Sequence, residues 1–208
     1  MPKTILVLYC LCFYAIWTCF ELFLKPTIES TIIKTAVIKN LVWTIPALWM
    51  INRYHDHIYL KAKEMFTNRV NWLKYLPLFI LFAFYVLMGA YLQKGQIAIS
   101  PSFSFDDIVV VLFVGITEEM VFRGWLLNAT VNDKNPWLAV SVNSLMFLII
   151  HFPAWFYRGE FFANFQSLGF LSIIALSGIF GFTFLKSKNI LVPISLHMFW
   201  DLLMFLFF

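Results

Sequence analysis

Apolar runs of about twenty residues recur along this 208-residue chain, and they decide its fold class before anything else is considered. Such a run, as a helix, covers the roughly 30 Å hydrocarbon thickness of a bilayer. Seven can be placed: Ile5 to Leu24, Thr31 to Ile51, Tyr75 to Leu92, Ile108 to Leu127, Trp137 to Phe156, Phe165 to Leu185 and Ile190 to Phe208. They are continuous rather than alternating, so they read as helices and not as barrel strands. The expectation is an all-α, polytopic transmembrane helical bundle of about seven spans. Composition agrees: 62% of residues are hydrophobic and 12% charged, too little polar surface to cover a water-soluble globule of this size.

Between the second and third runs lies a polar stretch, Asn52 to Lys74. It carries Arg53, Lys61, Lys63, Arg69 and Lys74 against Asp56 and Glu64. Interspersed Ile58, Leu60, Met65, Phe66, Val70 and Trp72 suggest an amphipathic helix on the membrane surface. A basic loop of this kind belongs in the cytoplasm. Threading seven spans from it puts the N-terminus inside and the C-terminus outside, with nine basic residues inside and five outside. Those five are Lys25, Lys34, Lys39, Lys94 and Arg158. The net charge of +4 is thus read as a topology signal and headgroup contact, with no nucleic-acid partner implied. The first run is too long for a signal-peptide core and is read as a retained span. Its three cysteines, Cys10, Cys12 and Cys19, make neither a disulfide framework nor a zinc site.

Charges inside apolar spans are costly, so they are functional candidates by default. The fourth span contains Glu118, Glu119 and Arg123. Glu119 and Arg123 are one helical turn apart and can pair, whereas Glu118 points about 100° away and has no local partner. A carboxylate in such surroundings suits a proton acceptor. The fifth span has His151 as the one polar side chain in Met146-Phe-Leu-Ile-Ile-His151-Phe152, with Pro153 breaking the backbone ladder beyond it. The seventh has His197 and Asp201 on one face. Either Asp201 orients the imidazole through its second nitrogen, or both side chains meet the reaction centre. In a compact bundle Glu118, His151, His197 and Asp201 face inward and can converge. Such a set can activate water or bind a divalent metal such as zinc. No HExxH motif is present, and His55 and His57 read as surface residues.

Taken in order, Glu118-Glu119-x-x-x-Arg123, Phe147-x-x-x-His151 and His197-x-x-x-Asp201 resemble the three signature motifs of the CPBP intramembrane proteases. This family, also called the CAAX-protease or Abi group, includes endopeptidases that trim prenylated CaaX proteins, and bacterial members associated with bacteriocin production and immunity. The resemblance covers about Ile108 to Asp201. It divides the chain into N-terminal transmembrane helices, 1–107, and a catalytic core, 108–208. It implies an intramembrane endopeptidase acting on membrane-anchored proteins or peptides, lipidated ones among them, in the bilayer of a bacterial plasma membrane. Glu118 would be the general base with His151 assisting. His197 and Asp201 would polarise the carbonyl, and Glu119 and Arg123 would support the site. The family's usual residue at the last position is Asn. Asp201 cannot donate to an oxyanion unless protonated, which shifts its reading toward orienting His197 or holding a metal. Counting residues along the helices puts Glu118 and His197 about 14 and 10 Å from the boundary on the basic-loop side, from which access is expected. Two other classes remain open on the residues themselves: a non-catalytic immunity or scaffold protein, and an ion or proton transporter. The lack of an internal repeat counts against the transporter.

Overall fold

A computed structural model describes residues 3–131 and 134–208. All its regular structure is helical, and the described residues contain no strand. Each expected span appears as helix: α1 (Lys3–Thr27), α2 (31–53), α4 (Leu76–Lys94), α5 (105–130), α6 (Pro136–Ile149) followed by α7 (Phe152–Arg158), α9 (Gly169–Ser187) and α10 (Leu191–Phe207). Two short helices complete the order, α3 (Ala62–Thr67) and α8 (Phe161–Gln166). Four segments are long and apolar enough to cross a bilayer: Lys3–Thr27, Leu76–Lys94, Pro136–Arg158 and Gly169–Ser187. Helix α10, with 17 residues, is a shorter apolar helix. Helices α2 and α5 carry the ionisable residues that break their apolar character.

The outer faces confirm the solvent these helices require. Leu11, Phe23, Trp49, Ile80, Phe84 and Leu92 are among many exposed large apolar side chains. On a water-soluble protein contiguous surface of that kind would aggregate, whereas in lipid it is the stable arrangement. The protein is an integral membrane protein.

Helix α5 lies at the centre. It packs against α2, α6 and α10, while α10 also contacts α4 and α9. Its second half, Met120 to Leu127, is buried without exception. Trp125, Phe122 and Val121 sit there at 0% exposure, surrounded by Phe13, Trp17, Trp43 and Phe147. Close approach of α5 to α10 depends on Gly115. A Cβ there would stand 2.8 Å from Met198 Cγ and 3.6 Å from the Met198 backbone nitrogen.

Helical geometry departs from the α form in places that matter. The segments Phe20–Leu24, Ile33–Ile38, Asn40–Thr44 and Met120–Leu127 are wound as π-helix. Wider turns rotate the residues after them onto a different face, and such segments are rare outside functional regions. The break between α6 and α7 follows from Pro153, which lacks an N–H and cannot continue the ladder. His151 N–H bonds three residues back to Leu148 O at 3.0 Å, and the Ile150 carbonyl accepts from Trp17 Nε1 at 2.9 Å.

The basic stretch 52–74 differs from expectation. Its helix is six residues long, and the segment is folded against protein. Met65 is 0% and Leu60 6% exposed. Asn128 at the end of α5 pairs with both backbone groups of Leu60, accepting from its N–H at 2.7 Å and donating to its carbonyl at 2.8 Å. Ile190 N–H bonds Met65 O at 2.9 Å. These bonds answer backbone groups that a surface-lying helix would satisfy internally, so the loop closes this end of the bundle. Asn128→Ala should therefore lower stability by about 2–4 kcal/mol, since two buried backbone groups lose their partners. Reversible unfolding in mixed micelles measures it, and a loss below about 0.5 kcal/mol would show that the loop is held by packing alone.

Candidate active site

Arg123 has no exposure to solvent, and both its terminal nitrogens are held, while Nε finds no partner among the described residues. Its Nη1 donates to Glu119 Oε1 at 2.8 Å, one turn back on α5. Its Nη2 donates to Ser177 O at 2.8 Å and Ser177 Oγ at 2.6 Å on α9. The guanidinium lies 4.8 Å from the Phe147 ring and 5.4 Å from that of Phe180. A planar five-donor cation suits such a multi-sided grip better than an ammonium does. The predicted Glu119–Arg123 pair is therefore present and fully buried.

The same Glu119 oxygen accepts from His197 Nδ1 at 2.8 Å. Stacking on Phe180, with centroids 4.9 Å apart and planes 19° apart, sets the ring's tilt. Nδ1 is thereby committed, and Nε2 is the nitrogen left for chemistry. Glu118 Oε2 stands 3.9 Å and Asp201 Oδ2 3.6 Å from it. Orientation of His197 thus falls to Glu119 rather than Asp201, because the α5–α10 crossing brings Glu119 to Nδ1 while the i,i+4 spacing leaves Asp201 at Nε2. Of the two readings of the His197–Asp201 pair, the geometry fits the one in which both face the centre.

His151 sits at the α6–α7 break. Its Nδ1 bonds Phe147 O at 2.9 Å, a carbonyl left available because His151 N–H turns to Leu148 instead. Its other ring nitrogen is left free of that bond. A cavity of about 340 Å³ is lined by Glu118, His151 and Asp201, which thus come together from α5, the break and α10. His197 stands behind this wall, 5% exposed.

Three cavity residues were not singled out by sequence. Glu21 of α1, 4% exposed, bonds Lys25 Nζ at 2.6 Å. Lys39 of α2, 6% exposed, approaches the other Glu21 oxygen at 3.7 Å and lies 4.6 Å over the Trp17 ring. Lys25 and Lys39, counted as loop or span-end charges for topology, line the cavity with Glu118. Ser177 was also missed. The signal was available for Glu21 and Lys39, since both lie within apolar spans, and absent for Ser177, which looks like any small residue of a membrane helix.

The cavity opens away from the basic loop. Its outer lining is Lys25, Val110, Arg158 and Phe205, at the bundle end carrying residues 93–104 and 157–168. Expected access from the basic-loop side is therefore corrected. That path is filled by Phe122, Trp125, Leu126 and Leu127, each at most 1% exposed. As for a metal, no three or more His, Cys, Asp or Glu side chains among the described residues are disposed to hold one. As these side chains stand, Glu118, His151, His197 and Asp201 are not grouped closely enough to hold a divalent ion such as zinc.

The chain matches the family described as Type II CAAX prenyl endopeptidase Rce1-like, over residues 100–203. No curated protein and no solved structure matches it. The matched stretch contains the whole Glu119–Arg123–Ser177–His197 network and leaves Glu21, Lys25 and Lys39 outside.

Because the network is buried, breaking it on one side should be costly. Arg123→Met leaves Glu119 charged and short of its main partner, with an expected loss of about 3–5 kcal/mol. The double variant Glu119→Leu/Arg123→Met removes both charges and should recover much of that loss. Both values come from unfolding in mixed micelles. Equal losses in the single and double variants would mean that packing against Phe147 and Phe180 outweighs the ion pair.

Proposed function

The chain belongs to the Rce1-like family of type II CAAX prenyl endopeptidases, and on that premise we propose that it hydrolyses peptide bonds of membrane-anchored proteins or peptides at the Glu118 cavity. The observation that carries this reading is the meeting of Glu118 and His197 Nε2 at 3.9 Å from two helices, with the second imidazole nitrogen locked on Glu119. A carboxylate with no local partner, an oriented imidazole and an open cavity lined by polar groups are what water-driven acyl hydrolysis requires.

Glu118 takes a proton from water, and the resulting hydroxide adds to the scissile carbonyl. His151, with Nδ1 tied to Phe147 O, presents its other nitrogen to the same water. His197, in its doubly protonated form, donates from Nε2 to the oxyanion. The C–N bond then breaks, and the proton held by Glu118 passes to the leaving amine. Asp201 lies beside Nε2 as a counter-charge to the doubly protonated ring, whose direction Glu119 and Phe180 set. An Asp in place of an amide therefore works through His197 rather than as an oxyanion donor. Residues 108–208 form the catalytic core, and 1–107 the helices that close the cavity with Glu21, Lys25 and Lys39.

In this reading seven helical passes cross the bilayer. The charge bias supports a cytoplasmic N-terminus and basic loop. On that orientation the mouth opens on the opposite face, and substrates are anchored peptides presented there. Processing of prenylated cytoplasmic tails requires the reverse orientation. A plasma membrane of bacterial type suits a chain of this size and charge pattern.

Two measurements test the proposal. Glu118→Ala should lower cleavage of a membrane-tethered peptide by about 10²- to 10⁴-fold with unchanged thermal unfolding. Full activity in that variant would refute the assignment and leave a binding or scaffold role. For orientation, cysteines placed at Lys63 and Ser102 are probed with an impermeant maleimide in sealed cells. Labelling at 102 alone is expected, and labelling at 63 alone would place the mouth in the cytoplasm.

A further inference from the structure

Lys39 is buried, cationic and short of partners. Among the described residues its Nζ makes no hydrogen bond; its nearest carboxylate oxygen, on Glu21, is 3.7 Å away and the Trp17 ring lies beneath it at 4.6 Å. Glu21 is already bonded to Lys25 at 2.6 Å. One carboxylate is therefore shared between two ammonium groups, and the more buried of the two has donors to spare. An ammonium on a cavity wall whose donors the protein leaves unmet is free to take an anion that enters the cavity.

The backbone is built to hold it there. Lys39 sits between two π-wound segments, Ile33–Ile38 and Asn40–Thr44, and Glu21 lies inside a third, Phe20–Leu24. The wider turns keep both side chains on the inward face of their helices. Lys39, Glu21 and Lys25 share the cavity with Glu118, His151 and Asp201. A second hollow of about 240 Å³ continues outward past Glu21, Lys25, Lys34 and Arg158, so cationic wall extends from the mouth inward. Arg158 there is paired with Glu160 at 2.7 Å, which leaves the lysines as the available cations.

We propose that Lys39, with Lys25 and Glu21, forms an anion subsite in the cleavage cavity that takes a carboxylate of the peptide substrate. The subsite rests on the endopeptidase reading and adds to it the feature by which a substrate is chosen. A carboxylate meeting Lys39 Nζ makes charge-assisted hydrogen bonds that position the chain against Glu118. Glu21 moderates the subsite, since its negative charge competes with the substrate for both lysines.

The test uses full-length protein in proteoliposomes and a lipid-tethered peptide in three forms: free C-terminal acid, C-terminal amide, and amide with an aspartate near the scissile bond. Affinity is read in the Glu118→Gln background, and cleavage in the wild type. The free acid is expected to bind at least about tenfold more tightly than the amide. Rescue of the amide by the internal aspartate would mean that a side-chain carboxylate is the anion recognised. Lys39→Met should bring the acid-to-amide ratio near one, Lys39→Arg should keep it, and Glu21→Gln should raise it. Equal binding of all three peptides to the parent, or a ratio unmoved in folded Lys39→Met, overturns the subsite. Cleavage persisting in Glu118→Gln overturns the catalytic reading instead, and leaves the binding comparison standing. Should Lys39→Met not fold, Glu21→Gln decides: a lowered or unchanged ratio counts against the proposal.

Discussion

Burying a guanidinium at the centre of an apolar bundle is the constraint around which the remaining structure is arranged. Removing such an ion from water carries a penalty of several kcal/mol, offset by the charge and hydrogen-bond partners that meet it inside. Arg123 finds Glu119 on its own helix, Ser177 on α9 and two aromatic faces, from Phe147 and Phe180. Two helices, α6 and α9, are thus fixed relative to α5 by one side chain. His197 then joins through the same Glu119 oxygen, so the imidazole inherits the rigidity of the whole assembly. The energy that holds the bundle together and the energy that aims its histidine are spent on the same atoms.

Around that centre the backbone departs from regular helix wherever a polar side chain has to reach the cavity. Pro153 interrupts α6–α7, and the interruption frees Phe147 O to hold His151 while Trp17 satisfies Ile150 O. The π-wound segments do the corresponding work for Glu21 and Lys39. Gly115 lets α10 approach closely enough for His197 to reach Glu119. Apart from the break at Pro153, none of these adjustments is visible in the sequence, since each is a response to packing among helices far apart along the chain.

That contrast explains what could be read in advance. The all-helical membrane class follows from hydropathy alone, because lipid leaves the backbone no other option. Glu118, Glu119, Arg123, His151, His197 and Asp201 stood out because an ionisable group in hydrocarbon demands a reason. The partner of His197 could not be read, since sequence spacing offers Asp201 at i+4 and conceals a contact 78 positions away. Lys39 was legible as a charge in an apolar run, but its place near a span end gave it a topological explanation. The direction of the cavity depended on where large side chains fill the interior, and the aromatic half of α5 settles that only in three dimensions.

The folded loop that seals the basic end has a consequence for traffic. With Leu60, Met65 and the buried half of α5 closing that side, the cavity is a cul-de-sac. Under the proposed endopeptidase reading, a peptide that enters from the mouth meets the filled half of α5 and leaves by the side from which it came. On that proposal, cuts close to a chain terminus would be the easy ones, because only a short tail has to be accommodated beyond the reacting bond. The ruler in that proposal would be the depth of the chamber rather than any one contact.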